Sequence, residues 1–336
     1  MTLSAAKEER TVFGKLMNNY YYGKSGKGDY RKEDLPHNRW QLFWEVIRVR
    51  FFGLMKLNVA YMLIWLPAIA VIALSAMTLL TDLTAVLDNT ALSAQEMSAQ
   101  ANSLLDSTLF AMLVMLAPCI AITGPFTAGM TYVVRNWARD EHSFIWSDFK
   151  DAMKENWKQA LVVSIASGVM PILAYMTYNF YVRDVMAMGS VFAMIPQMVV
   201  LLIAIMWMLA LPYFYPLMIT YKLRLRDLFR DAFLLAIARL PMNIVMRLGQ
   251  ALPLVLSFLL LYINVTWVMW IMLGLVVYYM VIGFTLSRFA SCSYIIGVFD
   301  RYINANIEGA EVDRGIYREE DDDDDDDEDE DEEADA

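Results

Sequence analysis

The sequence has little of the chemistry that most enzymes and metalloproteins use. It contains two histidines, His37 and His142, and two cysteines, Cys119 and Cys292, among 336 residues. None of them belongs to a group of histidines, cysteines and acids at metal-ligand spacing. No serine or cysteine has an evident histidine partner for nucleophilic catalysis. We therefore expect no enzymatic activity, no cofactor, no metal site and no disulfide.

Charged residues are also few, and long stretches have none. Charged residues make up 19% of the chain and hydrophobic residues 58%, against roughly 45–50% apolar in an ordinary soluble domain. The excess forms six runs long enough to cross a bilayer. Because backbone amides in hydrocarbon need internal partners, such continuous runs predict helices and not barrel strands. The predicted spans are 57–80, 104–134, 160–182, 191–221, 242–263 and 265–287.

Lysine and arginine are nearly absent from the loops on one side of the predicted membrane domain. The loop between the first two spans has no lysine or arginine, and Arg183 alone lies between the third and fourth. The other 26 of the 27 bases flank the opposite ends of the spans. Since bases near membrane ends stay on the cytoplasmic side, both termini are predicted to be cytoplasmic. The first span begins too far along the chain to be the core of a signal peptide.

The end of the chain lacks bases altogether. Residues 319–336 contain 16 acids and no base, so the remaining 22 acids and 27 bases give the rest of the chain a net charge of +5. We predict a basic segment at 1–37, a membrane domain at 38–305 and a disordered acidic tail at 306–336. The alternatives to a purely solvated tail are weak Ca²⁺ binding and association with basic surfaces. The acidic sign argues against a nucleic-acid partner.

Two short patterns recur around the spans. Threonine or serine followed by tyrosine closes each even-numbered span, at residues 131–132, 220–221 and 293–294. A phenylalanine two residues before an acid precedes each odd-numbered span, at Phe43, Phe149 and Phe229. We predict three parallel hairpin repeats, each opened by an amphipathic helix in the cytoplasmic headgroup layer, with Ser147 and Asp227 as N-caps. The alternative is the general enrichment of tyrosine and arginine at membrane boundaries.

The cytoplasmic segment between the second and third spans mixes charges with aromatic side chains. As a loop between membrane helices, it is a candidate docking surface for transporter subunits or for a second copy of the chain. The alternative is a loop that anchors its own hairpin at the interface. The candidate residues are Arg139, Glu141, Trp146, Asp148, Phe149 and Asp151.

The second candidate site lies inside the second span, at Gly124, Pro125 and Gly129. Pro125 frees a backbone carbonyl and can kink the helix, and small residues four apart allow helices to approach closely. The two alternatives are a discontinuous helix along a substrate path and simple close packing. No ionisable residue lies near the middle of a span, which argues against ion-coupled transport. A neutral polar path through Asn58, Ser164, Asn179 or Gln197 stays open.

The second span and the loop after it carry a family resemblance. The motifs GPFTAGMTY at 124–132, RNWARDE at 135–141 and WSDF at 146–149 resemble the signature of the YesL-like family. YGKSGKGDY at 22–30 and EDLP at 33–36 are similar to longer members of that family. These are integral membrane proteins of Gram-positive bacteria without an assigned activity, and the resemblance covers residues 20–305.

The resemblance carries an expectation about function. It implies a protein of the bacterial plasma membrane, embedded in the lipid bilayer. Because family members are often associated with carbohydrate uptake and utilisation, it also implies an accessory or permease-like component of sugar uptake. The alternative is a membrane scaffold or envelope-maintenance protein that transports nothing. The acidic tail lies outside the family pattern.

Overall fold

All regular structure in the described part of the chain is helical. The computed structural model describes residues 35–185, 192 and 194–317. Most of the predicted basic segment and acidic tail therefore lies outside the described residues. The α-helices are α1 Arg39–Leu87, α2 Ala94–Trp137, α3 Ile145–Tyr178, α4 Met194–Thr220, α5 Leu225–Ala238, α6 Leu240–Ile263, α7 Val268–Tyr278 and α8 Phe284–Tyr302. Short π-helical segments lie at Asn179–Val185 and Tyr279–Gly283, and 3-10 turns at Val265–Trp267 and Asn304–Asn306.

The predicted six spans are confirmed. Six helices are long and apolar enough to cross a membrane: α1, α2, α4, α6, the segment Ile145–Tyr181 and the continuous rod Val268–Asn306. In their most apolar windows only 6–22% of the residues are buried within the protein. Since lipid is as apolar as leucine, such outward-facing side chains need no protein cover. The described part of the chain is therefore all-helical, and its six apolar helices are those of a multi-pass membrane protein.

The buried core is concentrated where the even-numbered spans end. Ala160, Phe214, Leu228 and Ile295 are completely or almost completely buried in one cluster drawn from α3, α4, α5 and α8. Aromatic rings strengthen the cluster, with Phe214 and Phe229 centroids 4.9 Å apart. We call this end, which includes the α2–α3 loop, α5 and the end of α8, the basic end. The opposite end contains the α1–α2 loop.

Two of the three predicted interfacial helices are not separate elements. The first amphipathic segment is continuous with its span in α1, where Arg50 has non-helical angles (φ −106°, ψ 20°) at a kink. The second is continuous with its span in α3. The third is the separate helix α5, whose buried Leu228, Ala232, Leu235 and Ala236 form one apolar face against the core. Whether the three units are repeats stays a prediction.

Ser147 and Asp227 are not N-caps, and that prediction is wrong. Each helix starts two residues earlier and has no side-chain cap. In α3, Asp148 reaches back instead, accepting hydrogen bonds from the Phe144 backbone N–H at 2.9 Å and the Ser143 hydroxyl at 2.7 Å. A carboxylate in the first turn satisfies end amides and suits the helix dipole, so α3 can start without a hydroxyl cap.

The described residues fall into two compact units. The described part of the smaller unit consists of residues 35–42 and 315–317. In it, the Tyr317 N–H donates to the Pro36 carbonyl at 2.9 Å, and the His37 and Tyr317 rings meet edge to face at 5.7 Å. The larger unit, Phe43–Arg314, contains the sites described below.

Candidate functional site

The loop predicted as a docking surface is held by an ion cluster centred on Glu141. Its carboxylate lies 2.9 Å from Arg139 Nε, 3.7 Å from Arg314 Nε and 3.8 Å from an Arg135 terminal nitrogen. Arg139 also lies 3.7 Å from Glu311. The Arg139 and Glu141 side chains are only 13% and 20% exposed, so solvent screens the pair little. The cluster ties the α2–α3 loop to the segment that follows α8.

The other predicted loop residues divide between internal support and the surface. Asp148 holds the start of α3, as described above. The Phe149 carbonyl would lie 2.6 Å from a methyl group at Gly129, so it marks a close approach of α2 and α3. Trp146 is 62% exposed, and Asp151 is exposed as well. Most of the predicted docking residues thus anchor their own hairpin, and the aromatic surface is left to Trp146 and its neighbour Phe144, which is 67% exposed.

The Gly124 region is a close helix contact. α2 continues through Pro125 as one helix, and the Ala121 carbonyl that Pro125 leaves without a donor accepts from the Ser164 hydroxyl of α3 at 2.6 Å. A methyl group at Gly124 would overlap the Ser164 side chain and the Ala160 carbonyl. The geometry therefore favours close packing over a discontinuous helix, and Ser164 belongs to this packing contact.

Asn58, considered above for a polar path, joins two distant helices. It is completely buried in α1. Its side-chain amide donates to the carbonyls of Tyr279 and Met280, each at 2.8 Å, and its side-chain oxygen accepts from the Thr285 N–H at 3.0 Å. These bonds satisfy backbone groups in and beside the π-helical segment Tyr279–Gly283, where the regular ladder is broken. Asn58 therefore fixes an irregular stretch of helix.

A groove lined by several polar residues, of which only Asn179 was considered above, lies toward the opposite end, between α2 and α3. Its volume is about 620 Å³. The Tyr175 hydroxyl donates to the Asp106 carbonyl at 3.0 Å and to its carboxylate at 3.2 Å. The rings of Phe110 and Tyr175 stack with centroids 6.1 Å apart. The polar residues that line the groove are Asn102, Ser103, Asp106, Ser107, Tyr175 and Asn179. Two polar pairs at four-residue spacing in α2, Asn102 with Asp106 and Ser103 with Ser107, were the available sequence signal.

The α2–α3 hairpin matches a known family model. Residues 105–178 match the family model described as "Protein of unknown function, DUF624". The match takes in Asp106, Gly124 and Tyr175, whereas Asn58 and all helices after α3 lie outside it. No curated protein and no solved structure matches the chain. This hairpin is therefore similar to a family without an assigned function.

Proposed function

We propose that this protein is a YesL-like component of the bacterial plasma membrane, with both termini in the cytoplasm, that serves carbohydrate uptake in an accessory role. The observation that carries the proposal is the groove between α2 and α3. With the basic end in the cytoplasm, this groove opens on the outer side of the membrane, where a sugar arrives.

The lining of the groove suits a small polyhydroxylated ligand. Asn102 and Asn179 offer both donors and acceptors, and the Asp106 carboxylate is an acceptor that Tyr175 holds in place. Phe110 is 40% exposed and presents an apolar ring beside these groups. Sugars combine hydroxyl groups with apolar C–H faces, so a few placed polar groups next to an aromatic surface match them.

The position of the groove favours an accessory role over a permease. Substrate sites of secondary transporters lie near the bilayer midplane, between discontinuous helices. Here α2 is continuous and the groove lies toward one end of the bundle. The protein would collect a sugar at the outer surface for a transporter subunit bound at its cytoplasmic loop. The second candidate, a scaffold, is supported by the buried apolar cluster at the basic end and the ion cluster beside it.

Sugar binding tests the groove directly. We expect purified protein in detergent to bind at least one of glucose, galactose, maltose and sucrose in ligand-observed NMR. Phe110→Ala and Asp106→Ala should weaken that binding about tenfold, because each removes one class of contact. Leu109→Ala, an exposed neighbour outside the groove lining, should bind normally. Absence of binding to every sugar, together with normal growth of a deletion strain on each of them, would contradict the proposal.

The partner is tested at the exposed aromatic pair of the loop. Because Arg139, Glu141 and Asp148 support the loop itself, we choose Phe144→Ala combined with Trp146→Ala. Affinity purification in mild detergent should recover a sugar-transporter subunit with the intact protein and about tenfold less with the double variant, since tryptophan anchors dominate interfaces. Trp157→Ala, another exposed tryptophan of α3, serves as the matched control.

Two results of that purification count against a transporter partner. The first is equal recovery of the subunit by the double variant and the control. The second is recovery of a second copy of this chain alone, which would indicate self-association.

A further inference from the structure

A second, more enclosed cavity lies toward the basic end, where α1, α4, α6 and α8 meet. Its volume is about 160 Å³, against roughly 30 Å³ for one water in the liquid. Arg247 is the eighth residue of α6, about 10 Å along the helix from its start. Two aromatic residues of α1, Tyr61 and Trp65, line the cavity. The polar side chains that α6 and α8 contribute to the lining are Arg247, Gln250, Ser287, Arg288 and Ser291.

The charges of this cavity are all positive. Arg247 donates to the Met208 carbonyl and, at 3.0 Å, to the side-chain oxygen of Gln250. Arg288 lies over the Tyr215 ring, 5.2 Å from its centroid. Neither arginine forms an ion pair with a carboxylate among residues 35–185, 192 and 194–317, and no acid lines the cavity. Two like charges held in an apolar helix bundle are costly unless an anion joins them.

Two hydrogen-bond donors on the lining also favour an anion in the cavity. Arg247 Nε and Trp65 Nε1 are buried and have no hydrogen-bond partner in the described structure. Both atoms are donors, and both residues line the cavity. Buried donors normally have acceptors, so these two suit a ligand that brings acceptor oxygens. Gln250 does not supply such an acceptor, because its side-chain oxygen accepts from a terminal nitrogen of Arg247 and its amide donates to Ser291.

The backbone beside the cavity is built irregularly. Tyr279, Gly283 and Phe284 on the lining belong to or follow the π-helical segment that Asn58 holds. A methyl group at Gly283 would come within 2.7 Å of the Tyr279 ring and 2.8 Å of the Tyr278 ring. Glycine therefore lets both rings keep their places around the cavity. π-Helical segments inside longer helices are frequent at functional sites.

We propose that this cavity binds a phosphate group, carried either by an anionic phospholipid or by inorganic phosphate. Two guanidinium groups offer planar, paired donors that match phosphate oxygens. In the orientation proposed above, the cavity lies near the cytoplasmic headgroup layer, where basic pockets between helices take anionic lipid heads. The chemistry of the site does not depend on the sugar groove, and the two are tested separately.

The experiment uses the full chain, delipidated in detergent. One arm measures binding of phosphatidylglycerol in nanodiscs against phosphatidylcholine nanodiscs, and the other measures radiolabelled inorganic phosphate by equilibrium dialysis. We expect Arg247→Gln and Arg288→Gln each to weaken binding about tenfold or more, because charged hydrogen bonds are lost. Arg247→Lys should keep part of it. Arg226→Gln, which changes an exposed arginine on α5, should bind as the unaltered protein does.

The arms distinguish the two sources of phosphate. Binding of phosphatidylglycerol alone assigns the site to lipid, and binding of inorganic phosphate alone assigns it to the free anion. Loss of folding does not confuse the result, because glutamine removes an uncompensated charge and the thermal midpoint should stay equal or rise. Equal binding of both probes by Arg226→Gln, Arg247→Gln and Arg288→Gln would overturn the proposal, as would a lack of binding by the unaltered protein.

Discussion

Replacing Asn58 with leucine should lower the free energy of unfolding by about 4 kcal/mol, because buried groups left without partners cost about 1–3 kcal/mol each. The substitution removes the partner of the Thr285 N–H and of the Tyr279 and Met280 carbonyls. These groups lie at the irregular π-helical segment, so the regular helix ladder cannot take over their bonds. Leucine has the same branching and number of side-chain heavy atoms as asparagine, so lost hydrogen bonding is the main expected cause, and its bulkier methyl groups add a packing cost.

Unfolding can be followed at a single buried thiol. Cys292 is completely buried, whereas Cys119 is partly exposed. In a Cys119→Ser background, reaction of Cys292 with a thiol-reactive fluorophore during heating reports loss of the fold. Asn156→Leu is the matched control, since within the described structure its side chain bonds the Ala152 carbonyl of its own helix and no other helix. Equal midpoints for the two variants would contradict the role assigned to Asn58.

Gly124→Ala should destabilise the protein by about 2–3 kcal/mol, the usual cost of overpacking a tight contact. The new methyl group would overlap the Ala160 carbonyl and the Ser164 side chain, so α2 and α3 have to separate. Separation also breaks the bond from Ser164 to the Ala121 carbonyl, which Pro125 leaves without its helical donor. A larger side chain, as in Gly124→Leu, should cost more.

Gly297→Ala is the control for this substitution. Nothing lies within 4 Å of a methyl group at Gly297, which is also in a helix. There the loss of glycine reduces the entropy of the unfolded chain, so stability should stay equal or rise by about 0.4–1 kcal/mol. The same thiol assay compares the two variants. A Gly124→Ala midpoint equal to that of Gly297→Ala would show that α2 and α3 can accommodate the methyl group, which contradicts a tight contact.

The candidate sites were predictable only in part. The motif around Gly124 and Pro125 indicated a close contact, and the structure adds its partner, Ser164. The sequence located the α2–α3 loop motif correctly. Its charged residues anchor the hairpin, because Glu141 lies close to Arg135 before it and to Arg314 after α8. The N-cap prediction was wrong at Ser147 because the Asp148 carboxylate in the first turn accepts the hydrogen bond that a hydroxyl cap was expected to accept. A one-dimensional pattern gives residue type and spacing but not the partner.

The sequence by itself determined that the described part of this protein is helical and has six helices long and apolar enough to cross a membrane. That follows from composition and run length, because a chain in hydrocarbon satisfies its backbone locally within each helix. The tertiary structure decided which helices touch and how each is rotated. Asn58 meets Tyr279 across 221 positions, and Arg247 and Arg288 face one cavity from two helices. Such contacts depend on side-chain packing between distant segments, and hydrophobic patterning does not specify them.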